Sequence, residues 1–331
     1  MTAIPDASTR HTEGVRGPDR RTPDAVVVGA VTRDITSDDP RGWRLGGAVA
    51  YAALTIANLG LRTAAILGAD DPAAGAAELD LLRGAGVRLE IVPLARGPVF
   101  ENLETPAGRV QRCVQPSDPI PATAADRIED TVAAPQGWLL APVADELPAG
   151  WATALPDDAY VGLGWQGLLR RLTAGEAVAP RTPEPSGLLT RADLVGVSED
   201  DLPPGTPLAD LVALVGARAT LVLTDGARGG LLSDPPRTRG GERAMRRYPA
   251  VAATAPVDPT GAGDVFLAAL FAARLERRLV GGRVDRGFDV LLAAAAASLT
   301  LEGAGLMGVP ARSAIADRMR EGMRRRTRPA E

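Results

Sequence analysis

The chain has 331 residues, 45% of them hydrophobic and only 3% aromatic, with a formal net charge of −4; this suits one large or two modest domains with an Ala, Leu and Val core and gives no general attraction to nucleic acid or anionic membrane. It contains no lysine, one histidine (His11) and one cysteine (Cys113), which excludes a Walker-type phosphate clamp, Schiff-base chemistry, Ser-His-Asp or Cys-His catalysis, His-ligated zinc and an internal disulfide. Carboxylates are left for proton transfer, and arginine and backbone amides for holding anions.

Residues 1–22 are polar, rich in Thr, Asp, Arg and Pro, and read as a disordered tail. No apolar run reaches the roughly 18 residues of a membrane span, and the N-terminus lacks a signal-peptide core. With a lone cysteine added, a cytoplasmic protein is expected.

Ala25 to Val31 is a continuous apolar run, the pattern of a strand buried on both faces of a parallel sheet. Asp34 follows its end, either as a ligand for substrate hydroxyls at a strand terminus or as a loop N-cap. Gly46-Gly47 then precedes the small-residue helix from Ala48 to Leu59, and such a pair permits close backbone approach to a ligand. Thr63 to Gly68 reads as the next strand, Ala73 to Gly84 as one helix, and Val87 to Val92 as a third strand. The alternation indicates a doubly wound α/β fold with a mainly parallel sheet flanked by helices.

From Val99 to Val114 the pattern changes to a hairpin turning at Pro106-Ala107-Gly108. A hairpin set among α/β units can cover a site, so Glu101, Asn102 and Arg112 are substrate-contact candidates beside the alternative of plain surface. Short strands follow at Gly137–Val143, Ala159–Leu163 and Ala192–Val197, with Gln166 just past the second. Ser198-Glu199-Asp200-Asp201 opens a short helix whose acids either organise a hydrated cation or offset the helix dipole. Ala219 to Thr224 is a strand leading into the glycine-bearing loop Asp225 to Gly230.

Asp258-Pro259-Thr260-Gly261-Ala262-Gly263-Asp264 then opens a long apolar helix. Small residues at a helix mouth leave N–H groups free for an anion, and an acid in that mouth suggests a general base beside a phosphoryl group; an ordinary glycine-rich turn is the alternative. An Ala-rich helix (Phe288–Leu301) and a final helix (Ala311–Arg326) ending in Arg324-Arg325-Arg326 complete the chain.

Gly46-Gly47 before a helix, Thr224-Asp225-Gly226 with Gly229 after a strand, and D-P-T-G-A-G-D near the C-terminus resemble, in that order, the ribokinase-like (PfkB-type) carbohydrate kinases over roughly residues 25–320. The resemblance implies a single kinase domain over 23–326, with β lid elements near 34–45 and 97–115 and a short tail at 327–331. It implies ATP and Mg²⁺ as cofactors and an alcohol group as phosphoryl acceptor. Asp264 would be the base and Gly261, Ala262 and Gly263 the anion hole; Thr224, Gly226, Gly229 and Thr260 would join Gly261 and Gly263 on the nucleotide side. Asp34, Gly46, Gly47, Tyr51, Asn102, Arg112 and Gln166 would lie on the acceptor side.

Ser198 and Asp201 stand where the family has the Asn and Glu of N-x-x-E, so they would order Mg²⁺ through water. Tyr51 replaces the Asn of G-G-x-x-x-N, which argues against ribokinase or fructokinase activity proper. Together with Q-G-x-L-R at Gln166–Arg170, it resembles the myo-inositol kinase-like subgroup. A small polyol, cyclitol or sugar is the expected acceptor, with a nucleoside kinase or a non-catalytic metabolite-binding protein as alternatives, and a monomer or homodimer as the assembly.

Overall fold

The structure is a computed structural model that describes residues 22–105, 108–128, 134–236, 238, 241–283 and 285–327. The polar N-terminal tail with His11, the hairpin tip at Pro106-Ala107 and the side chains of Arg324-Arg325-Arg326 lie outside the described residues.

In chain order, β1 (Ala25–Ala30), β2 (Thr32–Ile35) and β3 (Trp43–Gly46) precede α1 (Ala48–Asn58), β4 (Thr63–Ala69), α2 (Asp71–Ala74), α3 (Leu79–Gly84) and β5 (Arg88–Pro93). A hairpin of β6 (Val99–Thr105) and β7 (Gly108–Gln115) leads on to β8 (Gly137–Leu140), α4 (Trp151–Ala154) and β9 (Tyr160–Gly164). The short ribbon β10 (Arg170–Arg171) and β11 (Ala179–Pro180), α5 (Gly187–Arg191), β12 (Leu194–Ser198), α6 (Leu208–Leu214) and β13 (Thr220–Thr224) follow. The chain closes with β14 (Gly230–Asp234), β15 (Ala244–Tyr248), α7 (Ala262–Leu279), α8 (Arg286–Thr300) and α9 (Arg312–Thr327).

The expected α/β architecture is present. Nine strands form one sheet in the order β15-β14-β13-β12-β9-β8-β1-β4-β5, parallel from β13 to β5 and antiparallel at the β14 and β15 edge. Every residue of β1 and of β4 is buried, as a strand covered on both faces requires. Alternation assigns their side chains to opposite layers: Ala25 and Val27 pack with α1, α7 and α8, while Val26 and Val28 face α4 and α5.

One helix expected over Ala73–Gly84 is two. Asp70 caps the first through the Ala73 amide at 3.2 Å, Pro72 occupies its first turn, and the chain turns at Gly75 before α3 begins.

A second sheet, β3-β2-β6-β7, stands over the C-terminal ends of the parallel strands. The chain runs from β1 to β4 and β5 on one side and returns through β8, β9, β12 and β13 on the other. A topological switch point therefore lies between β1 and β8, where open α/β sheets bind their ligands.

Candidate active site

Gly261 begins α7 in the left-handed region (φ 80°), which turns the preceding segment so that Ala262, Gly263 and Asp264 form the helix's first turn. Asp258 holds that turn from below: one carboxylate oxygen accepts the Thr260 amide at 2.9 Å and the other the Gly305 amide at 3.3 Å. Burial pushes its carboxyl upward, but these hydrogen bonds prevail and hold it below the ordinary range. A Cβ at Gly261 would collide with the Tyr51 ring, so the aromatic side chain of α1 props the glycine turn of α7. At Gly263 an added Cβ would meet no atom, and the Ala262 amide donates to the Pro259 carbonyl at 3.4 Å.

Asp264 projects from this first turn into a cluster of charges. Burial pushes its carboxyl up to about 7; the Arg170 guanidinium pulls the other way, and the charges of Asp201 and Asp34 add to the rise. Arg170 lies at the end of a 3₁₀ turn, Gln166–Leu169, that follows β9. Its guanidinium donates to the Val143 carbonyl at 3.2 Å and lies 5.8 Å from the centre of the Phe100 ring. Burial lowers its pKa, opposed by Asp201, Asp264, Asp34 and Glu146, so it is the cation these carboxylates share.

Glu146, only 1% exposed, stitches the two sides of the switch point together. It accepts amides from Ala30 at the end of β1 and from Val143 and Ala144 beyond β8, all at 2.7–3.1 Å. Burial nevertheless pushes its carboxyl upward.

Asp34 enters from the lid strand β2, with the Thr32 hydroxyl donating to it at 3.0 Å. A Cβ on its neighbour Gly46 would strike the Asp34 carboxylate, and one at Gly47 (φ 99°) would come within 2.6 Å of the Ala30 carbonyl. The glycine pair thus fits β3 around Asp34 and the end of β1.

Residues 186–312 match the model of the pfkB family carbohydrate kinases. The fold is ribokinase-like, and the C-terminal segment carries the PfkB match. No curated protein matches it. Among solved structures, it is similar to a pyrophosphate-dependent kinase in the ribokinase family complexed with a pyrophosphate analog and myo-inositol (17% identity, TM-score 0.66, 88% of this chain and 99% of that one). It is also similar to Arabidopsis thaliana ribokinase complexed with ribose and ATP (20%, 0.62, 90% and 99%). A Methanocaldococcus jannaschii nucleoside kinase aligns at 15% identity and TM-score 0.61, over 91% of this chain and 99% of that one. At these identities the likeness is one of fold.

In this ribokinase-like frame, Asp34, Gln166, Asp201 and Asp264 gather around Arg170, and the Gln166 amide donates to Asp201 at 2.9 Å. Burial raises the Asp201 carboxyl, with Arg170 and Gln166 opposing it. Ser198, its neighbour across the same turn, accepts the Asp200 amide at 3.3 Å. Asn102 shares the lid face of Phe100, whose register partner is Asp34, and accepts a hydrogen bond from Gln111 at 3.2 Å.

Arg112 is not brought to the carboxylates. It pairs with Glu101 at 2.8 Å, one residue out of phase with Asn102 and so on the other face of the lid. Tyr51 is only 2% exposed and offers its ring to Gly261 rather than a surface to the crevice.

At the end of β13, Thr224 donates to the Val197 carbonyl at 3.4 Å and pairs in register with Ser198. Gly226 (φ 48°) and Gly229 (φ 90°) shape the turn from β13 to β14. A Cβ at Gly229 would strike the Tyr248 carbonyl and approach the Ala250 amide to 2.7 Å. The segment touched there borders a cavity of about 720 Å³, lined among others by Tyr248, Val251, Val290, Leu291 and Arg318. The Tyr248 ring stacks on Phe266 of α7 at 5.3 Å, which ties the cavity wall to the helix carrying Asp264.

The sequence assigned no role to Arg170, Asp258 or Glu146. Arg170 closes the Q-G-x-L-R string and Asp258 opens D-P-T-G-A-G-D, so both lay inside recognised motifs. Glu146 carried no motif signal.

Proposed function

We propose that the chain transfers the γ-phosphoryl group of ATP to a hydroxyl of a small polyol, cyclitol or sugar. The observation that carries this reading is the Asp264 carboxyl, held near neutrality within the amide-lined first turn of α7. A hydroxyl resting between Asp34 and Asp264 would lose its proton to Asp264 as its oxygen bonds to phosphorus. The bond from phosphorus to the bridging oxygen breaks, and ADP leaves with that oxygen. The Gly261, Ala262 and Gly263 amides would receive the charge on the transferring group, and Arg170 would hold the ionised base and orient the acceptor.

Mg²⁺ would supply charge neutralisation on the donor phosphates. Among the described residues, no three His, Cys, Asp or Glu side chains converge to hold a metal ion. Asp201 fits a water-mediated contact, whereas the Ser198 hydroxyl is occupied by its own turn.

A second donor has specific support, since a similar structure is that of a pyrophosphate-dependent kinase bound to myo-inositol. The cavity beside Gly229 favours ATP, because about 720 Å³ of partly apolar space is of the size that takes a base and ribose, and pyrophosphate would leave it unused. The test is a panel of cyclitols, sugars and nucleosides assayed with ATP and with pyrophosphate. Phosphoester formation from a polyol or cyclitol with ATP is expected. Turnover with pyrophosphate alone would overturn the donor, and turnover confined to nucleosides would overturn the acceptor class.

The same assay gives a pH dependence. An acid that must be ionised to act, with a pKa of about 7, makes log kcat/KM climb with a slope near one below pH 7 and level off above it. In Arg170→Gln the opposing cation is gone and the limb moves to higher pH. A flat profile from pH 5.5 to 8.5 would remove Asp264 from the base role.

A further inference from the structure

An incoming phosphoryl group meets an acidic site: Asp34, Asp201, Asp258 and Asp264 outnumber the arginines near them. Arg170 is committed to the acceptor side, where its electrostatic partners are Asp201, Asp264, Asp34 and Glu146. The glycine-turn side has a different cation. Arg44 of β3 is the register partner of Asp34, so it shares that residue's lid face and projects toward the start of α7. Its guanidinium lies 3.9 Å from Asp258, the residue that holds the Thr260 amide. Its charge is also felt at Tyr51, which props Gly261.

Among the described residues, Arg44 also makes a 3.2 Å pair with Asp38, whose side chain is 76% exposed. An exposed pair of this kind holds its partner weakly. The guanidinium is therefore anchored by its strand at the mouth of the anion hole while its N–H groups remain available to a stronger acceptor. A dianionic phosphoryl group is such an acceptor, and an arginine fork matches its oxygens.

On the reading of the chain as a phosphotransferase, we propose that Arg44 is the lid-borne cation of the transfer step, donating to the non-bridging oxygens of the transferred phosphoryl group opposite the Gly261–Gly263 amides. It forms no covalent bond and moves no proton; it offsets negative charge that Asp258 and Asp264 would otherwise repel.

Arg44→Gln is compared with the parent, with Arg44→Lys, and with Arg96→Gln, a surface arginine paired to Asp118. Arg44→Gln is expected to lower kcat about a hundredfold, in line with loss of one donor to a developing oxyanion. The acceptor KM and the melting temperature should stay close to the parent's, Arg44→Lys should recover part of the rate, and Arg96→Gln should change nothing. Calorimetric titration with inorganic pyrophosphate reads the same site without turnover, and Arg44→Gln is expected to bind it at least tenfold more weakly.

Parental turnover and parental pyrophosphate affinity in Arg44→Gln would overturn the proposal, as would a parent protein that binds no pyrophosphate. A loss of pyrophosphate affinity in Arg44→Gln, with no phosphoester formed by the parent from any acceptor, would support Arg44 as an anion ligand and overturn the kinase reading instead.

Discussion

Asp264→Asn is expected to lower kcat at least about a hundredfold while leaving ATP affinity nearly unchanged, the range typical for loss of a positioned base. The same substitution is expected to make the protein more stable above neutral pH. Asp264 ionises at about 7 in the folded chain against an ordinary value of 3.8, so the folded state holds its proton over a range in which the unfolded state has released it. Stability from that proton is present in full below about pH 4 and is lost as pH rises through 7.

Asparagine has no charge to bury and escapes the loss. Three pH units correspond to about 4 kcal/mol; solvent at the half-buried carboxylate screens this to roughly 1–2 kcal/mol. The melting temperature at pH 8 should therefore rise by roughly 2–6 °C, with the gain disappearing toward pH 4. Steady-state kinetics and calorimetric melts at both pH values check the pair of effects. Near-parental turnover would sink the base assignment, and an unchanged melt at pH 8 would remove the electrostatic cost.

Gly261→Ala and Gly263→Ala should part company although they are two residues apart in one string. At Gly261 the backbone is left-handed (φ 80°) and the new methyl would run into the buried Tyr51 ring. Strain of about 1–2 kcal/mol for the backbone and a further 1–3 kcal/mol for overpacking should cost about 2–5 kcal/mol of stability. Turnover should fall by more than a hundredfold as the amides turn away. At Gly263 the methyl meets nothing in the protein, and alanine favours a helix by up to about 1 kcal/mol. That variant should fold at least as well as the parent yet weaken donor affinity, because the open space is where phosphate would lie. Equal melting temperatures for the two variants would contradict the Tyr51 contact.

How much of this was legible in the sequence differed from feature to feature. The buried strands β1 and β4 announced themselves as unbroken apolar runs, and α7 as an apolar helix opening on small residues. The split between α2 and α3 is not visible in the sequence because the apolar spacing continues across the turn at Gly75 that interrupts the backbone.

Arg170 escaped notice as a charge centre because its significance lies in long-range company. Asp34, Asp201 and Asp264 come from distant parts of the chain, and only the crossing at the switch point makes them its neighbours. Tyr51 was expected to face a substrate because its position follows the glycine pair. Packing of α1 against α7 decides otherwise, and a single sequence does not carry the relative rotation of two helices. The cavity beside Gly229 was equally hidden, being a space between elements rather than a property of any one.

The ring beneath Gly261 also limits how this protein could acquire a different acceptor. Here the residue at position 51 is structural support for the turn that would hold the phosphoryl group, so a change aimed at the acceptor would hollow out the ground under the donor. Position 51 is thereby withdrawn from the choice of substrate, and an evolutionary route to new specificity would have to run through side chains that do not touch the start of α7.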